Sequence, residues 1–403
     1  MMAGMAGPST VSRATGALVV DRLIDDRRNR IIVCCGSGGV GKTTIAAAIG
    51  LRAAERGRHV VVLTVDPARR LAQSMGLTSL DNTPRLVAGV TSNGGSLHAM
   101  MLDMKRTFDE IVESHADPDR AAQILANPFY QSLSSSFAGT QEYMAMEKLG
   151  QLRRADEWDL IVVDTPPSRS ALDFLDAPQR LGRFLDGRLL RLLVAPARLG
   201  GRTGLKMLNA GFGIVTGVIT KIIGSQLLRD VQTFVSAMDT MFGGFRERAE
   251  YTYRLLRAPG TSFVVLAGPE QDALREASYF VERLERDGMP LAGLILNRVH
   301  HSPAARLSAA RSLAAAETLQ LIMDAGPARP AGSRASAENG TALAVIALRL
   351  HAERMQQTAS ERRLAQRFTS AHPLVPVAQI PAQPEDVHDL TGLRAIGESF
   401  AAN

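Results

Sequence analysis

A glycine-rich segment between an apolar run and a helical pattern carries the clearest chemistry of the chain. Its nine residues, GSGGVGKTT, are Gly36, Ser37, Gly38, Gly39, Val40, Gly41, Lys42, Thr43 and Thr44. Glycines let a loop turn its backbone N–H groups onto an anion at a helix N-terminus. In this spacing Lys42 can reach the β- and γ-phosphates, and the Thr43 hydroxyl can ligate Mg²⁺. The segment therefore predicts a phosphate-binding loop for ATP or GTP. The alternative is an ordinary glycine-rich turn, and the probability that this pattern arises by chance in a chain of this length is on the order of 1%.

Two aspartates follow apolar runs at places where a nucleotide hydrolase needs carboxylates. Asp66 comes after the run 58–65, and Asp164 comes after the run 160–163. A carboxylate at a strand end beside the phosphate-binding loop can hold Mg²⁺, directly or through water, which neutralises charge on the transferring phosphoryl group. Asp164 suits that part together with Thr43. The alternative for an isolated strand-end aspartate is a helix N-cap.

Five apolar runs must form the strands that position these residues. They span 30–35, 58–65, 160–163, 262–266 and 291–296, and helical patterns separate them. Continuous apolar strands joined by helices indicate a parallel sheet that is covered on both faces. The predicted fold is a doubly wound, mostly parallel α/β fold of the P-loop NTPase type.

The predicted ATPase domain, residues 25–403, also contains helical insertions. Two long stretches, about 102–154 and 172–256, have helical patterning and no strand signal, and we expect them to form a helical subdomain. Near the C-terminus, helical patterns flank a segment of small residues. That segment predicts a mobile loop near 325–340.

Composition narrows the class of protein. The 403-residue chain has 46 basic and 40 acidic residues without lysine tracts or interleaved aromatics, so a nucleic-acid partner is not expected. Residues 1–24 lack a basic segment followed by an apolar core and are expected to be a flexible leader. Cys34 and Cys35 should lie on opposite faces of a strand, and no CxxC pair is present. The most lipid-like stretch, 208–224, contains Lys221 and is short for a spanning helix. These features predict a cytoplasmic protein.

The order of several short motifs makes the chain resemble a known family. The glycine-rich loop is followed by DPARRLAQ at 66–73, DTPPS at 164–168, GPE at 268–270, LNR at 296–298 and VPVAQIP at 375–381. Together they resemble the anion-transporting ATPase family, which contains the arsenite-efflux pump ATPase and the tail-anchored-protein targeting ATPase. The resemblance covers nearly the whole chain, and the ordered set is far more specific than any one motif.

This resemblance implies roles for particular residues. Asp66 would orient the attacking water, Asp164 would belong to the switch at the metal, and Asn297 and Pro381 would contact adenine. ATP, with Mg²⁺, is then favoured over GTP. Family members work as dimers that close around two nucleotides and thereby reshape a helical subdomain where cargo binds. The implied activity is ATP hydrolysis coupled to binding and release of a hydrophobic or membrane-protein client.

Two departures from the family pattern concern charge. The family's signature lysine, which reaches the partner's phosphates, is replaced here by Ser37, while Arg69, Arg70 and Arg169 stand where the family usually has His, Asn and Gly. Either one of these arginines replaces the lysine, or they are solvated surface groups. A paralogous subunit in a heterodimer could also supply the lysine, whereas a homodimer requires compensation within this chain.

Three functions remain open on these residues: a client-handling ATPase, a nucleotide-binding regulatory subunit of an active paralogue, and the energy-coupling ATPase of an anion efflux pump. Arsenite efflux would need thiolates, and the two adjacent cysteines are the only thiols. The glycine-rich apolar residues 211–219 and the methionines of the helical stretches suit a cargo surface, with core filling as the alternative for the methionines. Arginines among leucines at 180–206 suit peripheral membrane contact or snorkelling from an amphipathic helix. His300 and His301 are expected to be surface residues.

Overall fold

Helices and strands alternate along the chain. The computed structural model describes residues 16–66, 70–90, 94–128, 130–131, 134, 140–166, 247–325 and 334–401. The strands are β1 (Ile31–Gly36), β2 (His59–Thr64), β3 (Arg85–Leu86), β4 (Ser96–Met101), β5 (Leu160–Asp164), β6 (Thr261–Ala267), β7 (Leu291–Val299) and β8 (Val377–Pro381). The helices are α1 (Val20–Asp25), α2 (Lys42–Glu55), α3 (Arg70–Ser74), α4 (Met104–His115), α5 (Pro118–Leu125), α6 (Thr140–Ala155), α7 (Gln271–Arg286), α8 (Ala309–Ala325), α9 (Arg334–Ala371) and α10 (Leu390–Ser399).

Within the described residues, these strands form one sheet in the order β3-β4-β2-β5-β1-β6-β7-β8. β3 pairs antiparallel with β4, and the other pairings of described strands are parallel. The carboxyl ends of the central strands therefore meet at one edge of the sheet, where ligands of such folds bind. The doubly wound, mostly parallel α/β fold predicted from the sequence is confirmed.

Both faces of the sheet are buried because successive side chains of a strand point to opposite sides. On one face, Val33 and Cys35 of β1 belong to a core that includes side chains of α4, α6 and α7. On the other face, Ile32 and Cys34 share a core with α1, α2 and α10. The two cysteines thus lie on opposite faces of a buried strand, as predicted.

Three described strands, β3, β4 and β8, have no counterpart among the predicted runs. β4 carries His98 among apolar residues, and β8 is a short strand that follows Pro376, so neither has a continuous apolar run. Their places depend on long-range pairing, with Val61 of β2 opposite His98 and Leu294 of β7 opposite Val377. β7 also continues to Val299, beyond the predicted run 291–296.

The prediction that residues 1–24 form a flexible leader is wrong for residues 18–24, which are packed against the rest of the protein. The Leu18 N–H donates a hydrogen bond to the carbonyl of Val377 on β8 (3.2 Å). Val20 and Ile24, four residues apart on α1, are fully buried against the sheet's second core. This burial stabilises the segment. Residues 1–15 lie outside the described residues.

The predicted mobile loop is also too long, because α9 already begins at Arg334. Residues 326–333 lie outside the described part of the chain. The stretch 102–154 is helical where described, in α4, α5 and α6, and Met144 and Met146 of α6 fill the core. Of the stretch 172–256, residues 247–256 are described, and they are helical.

The regions proposed from the sequence for cargo, lipid or membrane contact, 180–206, 208–224 and 211–219, all lie outside the described residues. The helical subdomain therefore stays a prediction.

Candidate functional site

The glycine-rich segment connects β1 to α2 at the carboxyl edge of the sheet. Gly36 ends β1 so close to the Leu266 carbonyl of β6 that any side chain would collide with it. Gly41 caps α2 with a φ of +89°, a left-handed conformation that favours glycine. The first turn of α2 starts at Lys42, so its unpaired N–H groups face the end of the loop. This is the geometry that binds an anionic group at a helix N-terminus.

Lys42 is buried beside this loop. Its side-chain ammonium donates a hydrogen bond to the backbone carbonyl of Ser37 (2.8 Å), at the start of the same loop. Burial lowers the pKa of Lys42, and the carboxylates of Asp164 and Asp66 partly oppose that shift. An anion entering the loop would give this ammonium the counter-charge that its buried position requires.

Asp164 lies at the end of β5 and is fully buried. Its Oδ2 accepts hydrogen bonds from the hydroxyls of Thr43 (2.7 Å) and Thr64 (2.8 Å). Its other oxygen, Oδ1, is buried and has no hydrogen-bond partner within the described residues. Burial raises the pKa of Asp164 to about 6, although both hydroxyls and the Lys42 ammonium lower it.

This arrangement fits Mg²⁺. A carboxylate with an orphaned oxygen, next to the Thr43 hydroxyl, supplies the oxygen ligands that the ion prefers. No cluster of three or more His, Cys, Asp or Glu side chains suited to a metal occurs in the described ranges.

Most of the predicted site residues share one cavity of about 1480 Å³. It is lined by Gly39, Gly41, Lys42, Thr43, Thr44, Asp66, Asn297 and Pro381, among others. Ser37, Gly38, Gly39 and Val40 also line a smaller cavity of about 410 Å³ beside the loop. Asp66, at the start of the loop after β2, is half-buried, and its backbone N–H donates to the Thr64 hydroxyl (3.2 Å).

The position of the missing signature lysine is buried. Ser37 is 8% exposed, and its hydroxyl has no hydrogen-bond partner among the described residues. Of the arginines that could compensate, Arg69 and Arg169 lie outside the described residues, and Arg70 is described only as the first residue of α3. The compensation hypothesis therefore stays a prediction.

Several cavity residues were not predicted from the sequence. His300, expected at the surface, is instead held by Glu361 of α9, whose carboxylate accepts from the His300 N–H (2.8 Å) and contacts Nδ1 (2.6 Å). Gln357 of α9 contacts the same Nδ1 (3.0 Å). Arg298 and Glu270 also line the cavity, and both belong to motifs quoted above without an assigned role. The α9 residues had no local signal, because about sixty positions separate them from His300.

The family to which the chain belongs, and with it the reaction that it catalyses, follow from a match to a family model. The model of the anion-transporting ATPase family matches residues 29–323, which is more than half of the chain. The chain belongs to the anion-transporting ATPase family. It is therefore an ATP hydrolase.

Individual relatives of this ATPase are distant. It is 24% identical to "ATPase GET3" of Malassezia globosa over 302 residues, which cover 74% of this chain and 81% of that protein. It is 25% identical to "ATPase ARSA2" of Chlamydomonas reinhardtii, with 70% of each chain covered. With "ATPase ASNA1 homolog" of Cryptosporidium parvum it shares 25% identity over 66% of this chain and 63% of that protein. In the described parts of the chain, no helix combines the length and apolar character that crossing a bilayer demands.

Proposed function

We propose that this member of the anion-transporting ATPase family hydrolyses Mg·ATP with the site around Asp164. The observation that carries the proposal is the pair of hydroxyls, from Thr43 and Thr64, that hold this buried carboxylate beside the loop lysine. Thr43 and Asp164 would hold Mg²⁺. The ion, when bound, neutralises negative charge on the β- and γ-phosphate oxygens.

The loop and Lys42 would bind the phosphates. On binding, the Lys42 ammonium would exchange the Ser37 carbonyl for phosphate oxygens, which carry far more negative charge. Asp66, which lines the same cavity, would orient the attacking water and accept its proton on a carboxylate oxygen. Asn297 and Pro381, farther along the cavity, would contact adenine.

Replacing Asp66 with asparagine tests this division of roles. We expect kcat to fall by about 10²-fold, because an amide cannot accept the water's proton. The Kd for Mg·ATP should stay within about threefold, because the loop and Lys42 supply most of the phosphate contacts. Steady-state kinetics and calorimetry measure the two quantities. The exposed Asp119→Asn on α5 is the matched control, and an unchanged kcat in Asp66→Asn would remove Asp66 from the mechanism.

We also propose that two such subunits act together. The support is the family resemblance and Ser37, which leaves the cation that acts across a dimer to Arg69, Arg70 or Arg169, or to a paralogous subunit. Native mass spectrometry of the complex purified from its own cells, with Mg·ADP and a γ-phosphate mimic, distinguishes these cases. A homodimer directs mutagenesis to the arginines, and a heterodimer with a lysine-bearing paralogue favours a regulatory or asymmetric role. A monomer under these conditions contradicts the proposal.

A hydrophobic protein or membrane-protein client is the proposed cargo. Its support in the described residues is an apolar surface on the helices α8 and α9, which pack against each other. Leu343, Ile346 and Leu350 recur at helical spacing on α9 and are each more than half exposed, as are Leu321 and Ile322 of α8. The same α9 reaches the cavity through Glu361, which holds His300. A change at the cavity can therefore be transmitted to this surface.

Replacing Leu343 and Leu350 with serine tests the client surface. We expect capture of an apolar helical peptide to weaken by about tenfold, because two large exposed side chains are lost. ATP hydrolysis without the peptide should not change. Fluorescence anisotropy of a labelled transmembrane-type peptide measures the binding. Leu374, which is similarly exposed but lies after α9, gives the control Leu374→Ser. Equal binding by the double variant and the wild type would exclude this surface as the client site.

A further inference from the structure

Two consecutive residues at the end of β7 hold the phosphate-binding loop from outside. The side-chain amide of Asn297 donates a hydrogen bond from Nδ2 to the carbonyl oxygen of Val40 (2.8 Å). The next residue, Arg298, donates from Nη1 to the carbonyl oxygen of Gly39 (3.2 Å). Two adjacent peptide carbonyls of the loop are thus bound by a segment more than 250 positions away in the chain.

The Asn297 contact is buried and closely packed, whereas the Arg298 contact is exposed. Asn297 is 7% exposed, so its amide bond to the loop forms away from water, where an unpaired polar group is costly. A Cβ at Gly41 would lie 2.5 Å from Asn297 Nδ2, so the amide fits against the loop only because position 41 is glycine. Arg298 has a φ of +62°, a left-handed conformation that arginine rarely adopts.

The geometry of the peptide bond gives these contacts a consequence for anion binding. In a trans peptide, the carbonyl of one residue and the N–H of the next point in opposite directions. No described peptide bond of this chain is cis. Holding the Gly39 carbonyl therefore fixes the direction of the Val40 N–H, and holding the Val40 carbonyl fixes that of the Gly41 N–H. These are N–H groups of the loop that would donate to a phosphate.

We propose that Asn297 and Arg298 are positioning residues that orient the loop's N–H groups for phosphate, independently of any contact with the base. This inference rests on the nucleotide binding proposed above. It adds a role to Asn297, for which the family resemblance implies an adenine contact only. Asn297 then links the nucleobase end of the cavity to its phosphate end, because the same side chain would contact the base and holds the loop.

An anion without a base separates the two roles of Asn297. We expect Asn297→Ala to weaken binding of inorganic tripolyphosphate by about tenfold, because a buried hydrogen bond to the loop is lost, and binding of Mg·ATP by at least as much, because the adenine contact is lost as well. Pro381→Ala, at the adenine end of the cavity, should weaken Mg·ATP but leave tripolyphosphate unchanged. Isothermal titration calorimetry on the full chain measures both ligands.

Hydrogen exchange supplies a second readout on the loop itself. The peptide spanning residues 36–44 should exchange faster in Asn297→Ala than in the wild type without ligand, while thermal melting reports whether the fold is retained. If Asn297→Ala does not fold, Arg298→Gly serves instead, because glycine suits the φ of +62° and lacks the guanidinium. In that variant the same faster exchange and a smaller loss of tripolyphosphate affinity are expected.

The outcomes separate this inference from the proposed function. A wild-type protein that binds neither Mg·ATP nor tripolyphosphate contradicts nucleotide binding at the loop. A wild type that binds both, with an Asn297→Ala variant that loses affinity only for Mg·ATP and exchanges at the wild-type rate, overturns the positioning role alone. A loss of tripolyphosphate affinity in Asn297→Ala together with faster exchange of the loop supports it.

Discussion

Replacing Lys42 with alanine is expected to abolish measurable binding of Mg·ATP and to lower kcat/KM by about 10³-fold. The ammonium is buried next to the loop carbonyl of Ser37, so it is poised where phosphate charge would arrive. A neutral side chain would leave the phosphates in a poorly hydrated site without this charge. Calorimetry with Mg·ATP and steady-state phosphate release measure the two effects.

Lys105→Ala is the matched control for this experiment. Lys105 is half exposed on α4, pairs with Asp109 (2.7 Å) and does not line the cavity. We expect its kcat/KM to equal that of the wild type. An Lys42→Ala protein that binds Mg·ATP with unchanged affinity would refute the assignment of the loop as the phosphate site.

Replacing Asp164 with asparagine should separate activity from stability. We expect kcat to fall by about 10³-fold, because the amide has no charge with which to hold the metal. At pH 7.5 the ligand-free variant should nevertheless have a higher free energy of unfolding than the ligand-free wild type. At that pH the wild-type carboxylate is ionised although it is fully buried, and ionisation without a bound cation is costly.

The pH dependence of this difference has a definite sign. The pKa of Asp164 rises from 3.8 in the unfolded chain to about 6 in the folded protein. Its contribution to stability is therefore fully present below about pH 4 and is lost as pH rises through 6. The stability advantage of Asp164→Asn should grow across that window by about 3 kcal/mol. Denaturant unfolding of the ligand-free proteins at pH 5 and pH 7.5 should show about half of this increase, because the other half falls between pH 4 and pH 5.

Two control experiments accompany this measurement, the addition of Mg·ADP and a matched substitution of an exposed aspartate. Mg·ADP should stabilise the wild type more than Asp164→Asn, because only the wild type keeps the carboxylate that would hold the ion. Asp156→Asn replaces an exposed carboxylate whose pKa is lowered by Arg153 and Arg30, so it should show no gain on raising the pH. A wild type that stays more stable than Asp164→Asn at pH 7.5 without ligand contradicts the effect of burial described here.

The glycine-rich loop between β1 and α2 and the central strands could be predicted because their signals are local. The glycine spacing around Lys42 and the apolar runs of β1, β2, β5 and β6 lie within short stretches of chain. A strand buried on both faces needs apolar residues at every position, and that need is visible without knowing its neighbours. β4 and β8 escaped prediction because pairing with β2 and β7, not their own composition, defines them.

The prediction of a flexible leader up to residue 24 failed for a related reason. Val20 and Ile24 are the fully buried pair of a six-residue helix whose only other apolar residue is Leu23, and one apolar turn is too short a pattern to indicate a helix in a sequence. Tertiary packing against α2 and the sheet makes that pair part of the core. Ion pairs of Arg52 with Asp21 (2.5 Å) and of Arg56 with Asp25 add to this docking.

By itself the sequence determined the family, the ATPase chemistry and the identity of the residues at the carboxyl edge of the sheet. The tertiary structure decided how those residues are held. It buries Asp164 with one oxygen unpaired, and it brings Asn297 to the loop and Glu361 to His300. It also places the guanidinium of Arg58 in the interior, on the carbonyls of Ile24, Asn29 and Asp159. Hydrogen bonds and burial join groups that are remote in the chain, and such contacts leave no periodicity or spacing from which they could be predicted.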